Sequence, residues 1–150
     1  MDAPGCGRYH CVVASRGPFV VMISAQQEWA CVKDLLHPAS LGSTPFGETF
    51  EHRVDGDIVT FCYGGWGKID AAASAQFVIS EWRPALLLNL GTCGGIKGRT
   101  RKGEIFLIDR TIVYDIIEGM SDPDAAIRHY QTDLDLSWLG DALPAGVTRG

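Results

Sequence analysis

Three segments of the 150-residue chain contain residues whose types and spacing could support chemistry. The first ends in Glu28, which we place in the first turn of a predicted helix that directly follows a predicted strand. Its carboxylate would then lie near the positive end of the helix dipole, where a negative charge is stabilised. A carboxylate in that position can polarise a water molecule for attack on an electrophilic carbon, such as a glycosidic carbon, which is general-base catalysis. The same spacing is also compatible with a carboxylate that only complements the dipole and faces solvent.

The other two segments are rich in glycine. Asn89 lies at the end of a predicted strand, and Thr92 and Cys93 lie in the stretch that follows it, Gly91 to Gly95, whose backbone is too glycine-rich for a helix or strand and suits close approach by a ligand. A plain tight turn after a buried strand would have the same composition. The run Gly65-Trp66-Gly67-Lys68 lacks the GxxxxGK[ST] spacing of a phosphate-binding loop, which argues against a nucleoside triphosphate as ligand.

The elements that must position these residues begin with a strand over Phe19 to Ile23, because this continuous apolar run is typical of a strand covered on both faces. A helix follows and ends before Pro38. Ser24 and Gln27 fit a capping box at its start. One face of the helix is apolar at helical spacing: Ala25, Trp29, Val32 and Leu36.

Later elements alternate between strands and helices. Two short segments joined by Asp55-Gly56, Thr49 to Val54 and Ile58 to Cys62, predict an antiparallel hairpin. Ile69 to Trp82 contains three consecutive alanines and predicts a helix packed closely on a sheet. The apolar set that we expect to face that sheet is Ala72, Ala75, Phe77 and Ile79. The remaining predictions are strands over Ala85 to Leu90, Glu104 to Ile108 and Thr111 to Tyr114, and a helix over Leu136 to Leu143.

This order of elements predicts an α/β fold with a mixed sheet. In such sheets ligands bind outside the carboxyl ends of the strands, and all three segments fall at such ends. Residues 1–17 have no hydrophobic periodicity and are predicted to be a flexible N-terminal extension. Residues 18–150 are predicted to form the domain.

The composition limits the class of protein. Hydrophobic residues make up 46% of the chain and charged residues 21%, which predicts a soluble globular domain with its own core. The net charge of −5 argues against nucleic acid as a partner, because phosphate contacts require a basic surplus. The longest apolar run, Phe19 to Ile23, is too short to span a bilayer, so no membrane association is expected.

The cysteines indicate the compartment. Five cysteines at irregular spacing without a CxxC pair indicate reduced thiols and a cytoplasmic location. No export signal precedes the first strand. Cys6, His10 and Cys11 supply only three ligands at no standard zinc spacing, so no metal site is expected, and no cofactor is expected either.

Three motifs in this order resemble the nucleoside phosphorylase superfamily: Ser24 to Glu28, Gly65 to Ala72, and Asn89 to Gly95. Within that superfamily the chain is most similar to the 5′-methylthioadenosine/S-adenosylhomocysteine nucleosidases. The resemblance runs from about Phe19 to Leu139. It implies a three-layer α/β/α sandwich with a mixed central sheet, association as a homo-oligomer, and a small-molecule nucleoside as the partner.

The resemblance also implies roles for individual residues. Glu28 matches the glutamate that activates the water attacking the anomeric carbon of ribose, and Thr92 matches a small hydroxyl residue that lines the water and ribose site. Cys93 and Gly94 match the backbone beside the purine. Asn89 stands where phosphorylases tend to have an arginine that holds phosphate, so the resemblance favours hydrolysis of the glycosidic bond over phosphorolysis.

Two alternatives to a nucleosidase stay open. A phosphorylase would require phosphate, whereas a truncated, non-catalytic module would bind a nucleoside or assemble with other copies without any chemistry. The resemblance implies that relatives continue beyond Gly150 with the residues that bind the ribose hydroxyls and the aspartate that protonates the purine. We therefore expect residues 18–150 to be the N-terminal part of the family domain, incomplete at its C-terminus.

Overall fold

The computed structural model describes residues 17–116, 122–139 and 143–150. The chain divides into two compact units, residues 1–93 and residues 94–150, and each is described by itself. The extension predicted for residues 1–17 lies outside the described residues apart from Gly17.

The first unit is built on one mixed sheet. Its elements are β1 Phe19–Ile23, α1 Gln26–Leu36, β2 Gly42–Thr44, β3 Gly47–Val54, β4 Asp57–Tyr63, α2 Gly67–Trp82 and β5 Leu86–Asn89. The strand order is β2-β3-β4-β1-β5. β1 pairs in parallel with β4 and β5, whereas β3 pairs antiparallel with β2 and β4. The α/β class and the mixed sheet expected from the sequence are confirmed.

Each face of this sheet carries one helix. Successive residues of a strand point to opposite faces, so the continuous apolar run of β1 contributes to two cores. On one face Ile23, Phe50, Val59 and Phe61 pack with Trp29 of α1. On the other face Val20, Met22 and Cys62 pack with Val78 of α2. The first unit therefore has the three layers of an α/β/α sandwich.

The predicted hairpin is confirmed. β3 and β4 pair up to Val54 and Asp57, and the two residues between them are Asp55 and Gly56. Both have positive φ, 50° and 94°, which is the conformation of the type I′ turn that suits the twist of an antiparallel pair. β2 was not predicted.

In the first unit the positions of α1 and α2 agree with the sequence prediction, but two of its details are wrong. The capping box of Ser24 and Gln27 does not form, because α1 begins at Gln26 with Ala25 as its N-cap and no side chain of that residue caps the helix. In α2 the buried residues are Ser74 and Val78. Positions 74, 75 and 78 share one face of a 3.6-residue helix, whereas Ala72 and Ile79 lie off that face and are exposed.

The second unit contains short elements. They are β6 Ile105–Leu107, β7 Arg110–Ile112, α3 Pro123–His129, β8 Gln131–Asp133, a 3₁₀ turn Ser137–Leu139, and β9 Val147–Arg149. β6 pairs in parallel with β9, and β7 pairs antiparallel with β8. The helix predicted over Leu136 to Leu143 is represented only by the 3₁₀ turn, and residues 140–142 lie outside the described part of the chain. In the described ranges, no helix has both the length and the apolarity that crossing a membrane requires.

Candidate active site

The carboxyl ends of three parallel strands meet at one edge of the first unit's sheet. Ile23 at the end of β1 accepts a hydrogen bond from the Gly64 amide after β4, at 2.9 Å. Met22 accepts one from the Leu90 amide after β5, also at 2.9 Å. The loops that follow β1, β4 and β5 therefore start side by side, as expected for ligand-binding loops of an open α/β sheet.

Glu28 and Thr92 are in direct contact at this edge. The Thr92 backbone amide donates a hydrogen bond to Glu28 Oε1 at 2.6 Å, and the Thr92 hydroxyl donates a second one to the same oxygen at 2.5 Å. The two residues are 64 positions apart in the sequence, so the contact depends on the parallel pairing of β1 with β5.

The surroundings of Glu28 keep its carboxyl group ionised. The hydrogen bond from the Thr92 hydroxyl lowers the pKa of Glu28 most, and the bond from the Thr92 amide lowers it further. Partial burial raises the pKa, but this effect is smaller, and the Ala25 amide adds a further hydrogen bond that lowers it. With Ala25 as N-cap, Glu28 is the third helical residue, the position from which a glutamate reaches back to the N-cap amide. Glu28 thus takes the helix-capping role expected of Gln27.

The backbone of Gly91 passes close to the other oxygen of Glu28. A Cβ atom placed on Gly91 would lie 3.2 Å from Glu28 Oε2 and 3.5 Å from Oε1. The distance to Oε2 is tighter than ordinary van der Waals contact, so the carboxylate would have to move by a few tenths of an ångström to admit a side chain here. The absence of a side chain at Gly91 therefore allows the loop after β5 to approach Glu28. The glycine-rich composition of the loop was noted from the sequence, but this particular glycine was not singled out.

The structure places the remaining predicted site residues as follows. Asn89 is the last residue of β5, lies opposite Met22 of β1 and is exposed. Cys93 directly follows Thr92 and has an exposed thiol. Gly94 begins the second unit and is exposed. The structure thus brings Glu28 and Thr92 together. Asn89 ends the strand that precedes the loop of Thr92, and Cys93 lies in that loop.

The loop after β4 contributes an exposed aromatic side chain. Ser74 of α2 donates a hydrogen bond to the Gly64 carbonyl at 2.7 Å, which holds the start of this loop against the helix. Trp66 precedes α2 as its N-cap residue and is 83% exposed.

A second polar cluster holds α1 on the sheet. Glu48 of β3 accepts hydrogen bonds from Trp29 and Lys33 of α1 through one oxygen, at 2.8 and 2.5 Å. This cluster leaves no signal in the sequence, because no local motif links a strand residue with a helix 15 or more positions away.

The described cysteines differ in accessibility. Cys31 and Cys93 are exposed, whereas Cys62 is buried in the core between the sheet and α2. Burial raises the pKa of the Cys62 thiol to about 11. Within residues 17–116, 122–139 and 143–150, no group of three or more histidine, cysteine, aspartate and glutamate side chains is arranged to hold a metal ion.

Several curated proteins are similar to this chain in sequence. A 5′-methylthioadenosine/S-adenosylhomocysteine nucleosidase of a Marinomonas species is 28% identical over 67 residues, which is 45% of this chain and 29% of that protein. A protein of the same name from Haemophilus influenzae is 27% identical over 89 residues, covering 59% of this chain and 39% of that protein. The matched region thus spans 29% to 39% of the length of these two relatives.

Solved structures show the same fold. A 5′-methylthioadenosine/S-adenosylhomocysteine nucleosidase of Streptococcus pneumoniae with a transition-state inhibitor superposes with a TM-score of 0.65 at 13% identity, over 89% of this chain and 62% of that chain. The corresponding enzyme of Neisseria meningitidis in complex with methylthio-immucillin-A gives a TM-score of 0.57 at 18% identity, over 84% of this chain and 47% of that chain.

The family model of the phosphorylase superfamily matches residues 18–142, which is most of the chain. The resemblance seen in the three sequence motifs is confirmed by this match and by the relatives. The chain belongs to the phosphorylase superfamily.

Proposed function

We propose that this chain takes part in hydrolysis of the N-glycosidic bond of a purine nucleoside, with Glu28 as the general base. The observation that carries the proposal is the pair of hydrogen bonds from Thr92 to one oxygen of an ionised Glu28. The names of the sequence relatives support the reaction class and suggest 5′-methylthioadenosine or S-adenosylhomocysteine as substrate.

The proposed step is attack by water on the anomeric carbon. The bond between that carbon and the purine nitrogen breaks, and the purine leaves with the electron pair. A water molecule forms the new bond to the carbon and gives up a proton to Glu28. A carboxylate with a lowered pKa is a weak base, but the carbon has oxocarbenium-like character in the transition state of glycoside hydrolysis and needs only modest activation of the water.

The Glu28 carboxylate keeps one hydrogen-bonding position for that water. An ionised carboxylate accepts about four hydrogen bonds. The Thr92 hydroxyl, the Thr92 amide and the Ala25 amide account for three of them. A water molecule bound at the remaining position would be oriented by a carboxylate that cannot rotate freely.

The other predicted site residues receive binding roles. We assign Asn89 to the ribose side of the site, where its neutral amide gives hydrolysis an advantage over phosphorolysis, because phosphate is held best by a fixed cationic fork. Cys93 and Gly94 contribute backbone beside the purine. None of the described residues is assigned the role of the acid that protonates the leaving purine. General acid catalysis typically contributes about 10²- to 10⁴-fold, so turnover by this chain alone would be slower by that factor unless another group replaces the acid.

We also propose a homo-oligomer in the cytoplasm. The outward face of α2 supports the oligomer, because Ile69 and Ile79 on it are 85% and 49% exposed and Ala72 and Ala73 lie between them. Exposed apolar side chains grouped on one surface are typical of protein–protein contacts. Sedimentation of the chain beside an Ile69→Lys variant tests this, and a monomer at all concentrations would contradict it.

The experiment that tests the reaction measures adenine released from 5′-methylthioadenosine, with and without phosphate. Adenine release that is independent of phosphate and lost in Glu28→Gln supports hydrolysis. A matched control is Gln27→Ala, which changes the exposed neighbour of Glu28 in the same helical turn. Release only in the presence of phosphate would instead indicate phosphorolysis. Binding of the nucleoside without release would indicate a non-catalytic module.

A further inference from the structure

Two donors of α1 converge on a single oxygen of β3. Trp29 Nε1 lies 2.8 Å from Glu48 Oε2, and Lys33 Nζ lies 2.5 Å from the same atom. Trp29 and Lys33 are four residues apart and therefore on the same side of the helix. The Lys33 ammonium also lies 5.9 Å from the centre of the Trp29 ring, within the range of a cation–π contact.

The cluster of Trp29, Lys33 and Glu48 sets the rotation of α1 about the helix axis. Trp29 is 4% exposed and packs against Phe50 and Tyr63, with ring centres 5.3 and 6.1 Å away. Apolar packing alone does not set the direction of the indole N–H, which requires a hydrogen-bond partner when it is buried. Glu48 is that partner, so its carboxylate fixes the indole and, through it, the helix.

The rotation of α1 in turn controls the position of Glu28. Glu28 directly precedes Trp29 and is separated from it by about 100° around the helix. The side chains of a helix reach about 5 to 6 Å from its axis, so a rotation of about 20° would move the Glu28 carboxylate by about 2 Å. Its contacts of 2.5 and 2.6 Å with Thr92 would then exceed the range of a hydrogen bond.

We infer that Glu48 is a positioning residue, whose contact with Trp29 and Lys33 orients α1 so that the Glu28 carboxylate reaches Thr92. Glu48 acts through the helix and has no contact with the reacting atoms in this account. The catalytic meaning of the inference rests on the proposed function of Glu28. The structural relationship between Glu48 and Glu28 is independent of that function.

The test follows the titration of Glu28 when Glu48 is changed. In Glu48→Leu the Trp29 indole loses its acceptor, and the pKa of Glu28, measured by carboxyl ¹³C NMR, should rise toward that of an ordinary glutamate. Glu48→Gln keeps an oxygen that can accept from Trp29 but loses the charge that holds Lys33, so it should restore most of the wild-type titration. Glu51→Leu is the matched control, because Glu51 is an exposed glutamate three positions along the same strand.

The outcomes separate this inference from the proposed function. If Glu28 titrates at the same pH in wild type and in a folded Glu48→Leu variant, the inference is wrong. If Glu48→Leu does not fold, Trp29→Phe removes the indole N–H that donates to Glu48 and keeps an aromatic ring in the core, and an unchanged titration of Glu28 in it would overturn the inference. Should the chain turn over nucleoside, a misplacement of this size should lower kcat about 10²-fold with little change in KM. A wild-type chain without turnover would refute the proposed function, and the titration would still decide the role of Glu48.

Discussion

Replacing Thr92 by valine tests the contact on which the proposed site depends. The change removes the hydroxyl that donates to Glu28 Oε1 at 2.5 Å, keeps the backbone donor at 2.6 Å and leaves the shape of the side chain nearly unchanged. A hydrogen bond to a charged group contributes about 1.5 to 3 kcal/mol. Because Thr92 is exposed to solvent, we expect a value below that range, a loss of about 1 kcal/mol in the free energy of unfolding at neutral pH.

The pH dependence of this loss has a definite sign. The Thr92 hydroxyl lowers the pKa of Glu28 below its ordinary value of 4.5, so the ionised form is favoured in the folded chain. The stabilisation is therefore fully present above pH 4.5 and is lost as the pH falls through the lowered pKa of the folded state. The difference between wild type and Thr92→Val should shrink over the same range.

Urea denaturation at several pH values measures this difference, and carboxyl NMR follows Glu28 directly. Thr92→Ser is the control, because it keeps the hydroxyl and should behave like the wild type. If the chain turns over nucleoside, Thr92→Val should also shift the acid limb of the rate profile to higher pH. An identical pH dependence of stability in wild type and Thr92→Val would refute the reasoning.

Two further predictions concern close packing. Gly91→Ala should displace the Glu28 carboxylate, because the new methyl group would lie 3.2 Å from Oε2, and should therefore raise the pKa of Glu28 while leaving the circular dichroism spectrum unchanged. An unchanged titration of Glu28 would show that the loop moves and the carboxylate stays in place. Under native conditions a thiol reagent should label Cys31 and Cys93 but not Cys62, whose pKa burial raises to about 11. Rapid labelling of Cys62, detected by peptide mass spectrometry, would contradict its place in the core.

The edge of the sheet at which the site lies could be predicted from the sequence. The continuous apolar runs of β1 and β5 predict strands that are buried on both faces, and parallel strands have their carboxyl ends at one edge. That reasoning is enough to put Glu28 and Thr92 near each other. It cannot give the hydrogen bonds between them, which involve the close approach of the Gly91 backbone to Glu28 and the start of α1 at Gln26.

Other features could not be predicted from sequence patterns, and the reasons are physical. Most apolar positions of α2 are alanine, isoleucine or valine on several sides of the helix, so periodicity did not identify the face of Ser74 and Val78. The contact of Glu48 with α1 depends on strand order and on the rotation of the helix, which leave no local signal. The strands of the second unit have three residues each, too few to show a period of two.

The most direct test of the central claim, that Glu28 activates water, compares binding and chemistry in one variant. Single-turnover release of adenine from 5′-methylthioadenosine is measured for wild type, Glu28→Gln and Gln27→Ala, and binding of the nucleoside is measured by calorimetry. We predict that Glu28→Gln binds the nucleoside nearly as well as wild type and releases adenine about 10²- to 10⁴-fold more slowly, whereas Gln27→Ala keeps the wild-type rate. Adenine release at the wild-type rate by a folded Glu28→Gln variant would contradict the account.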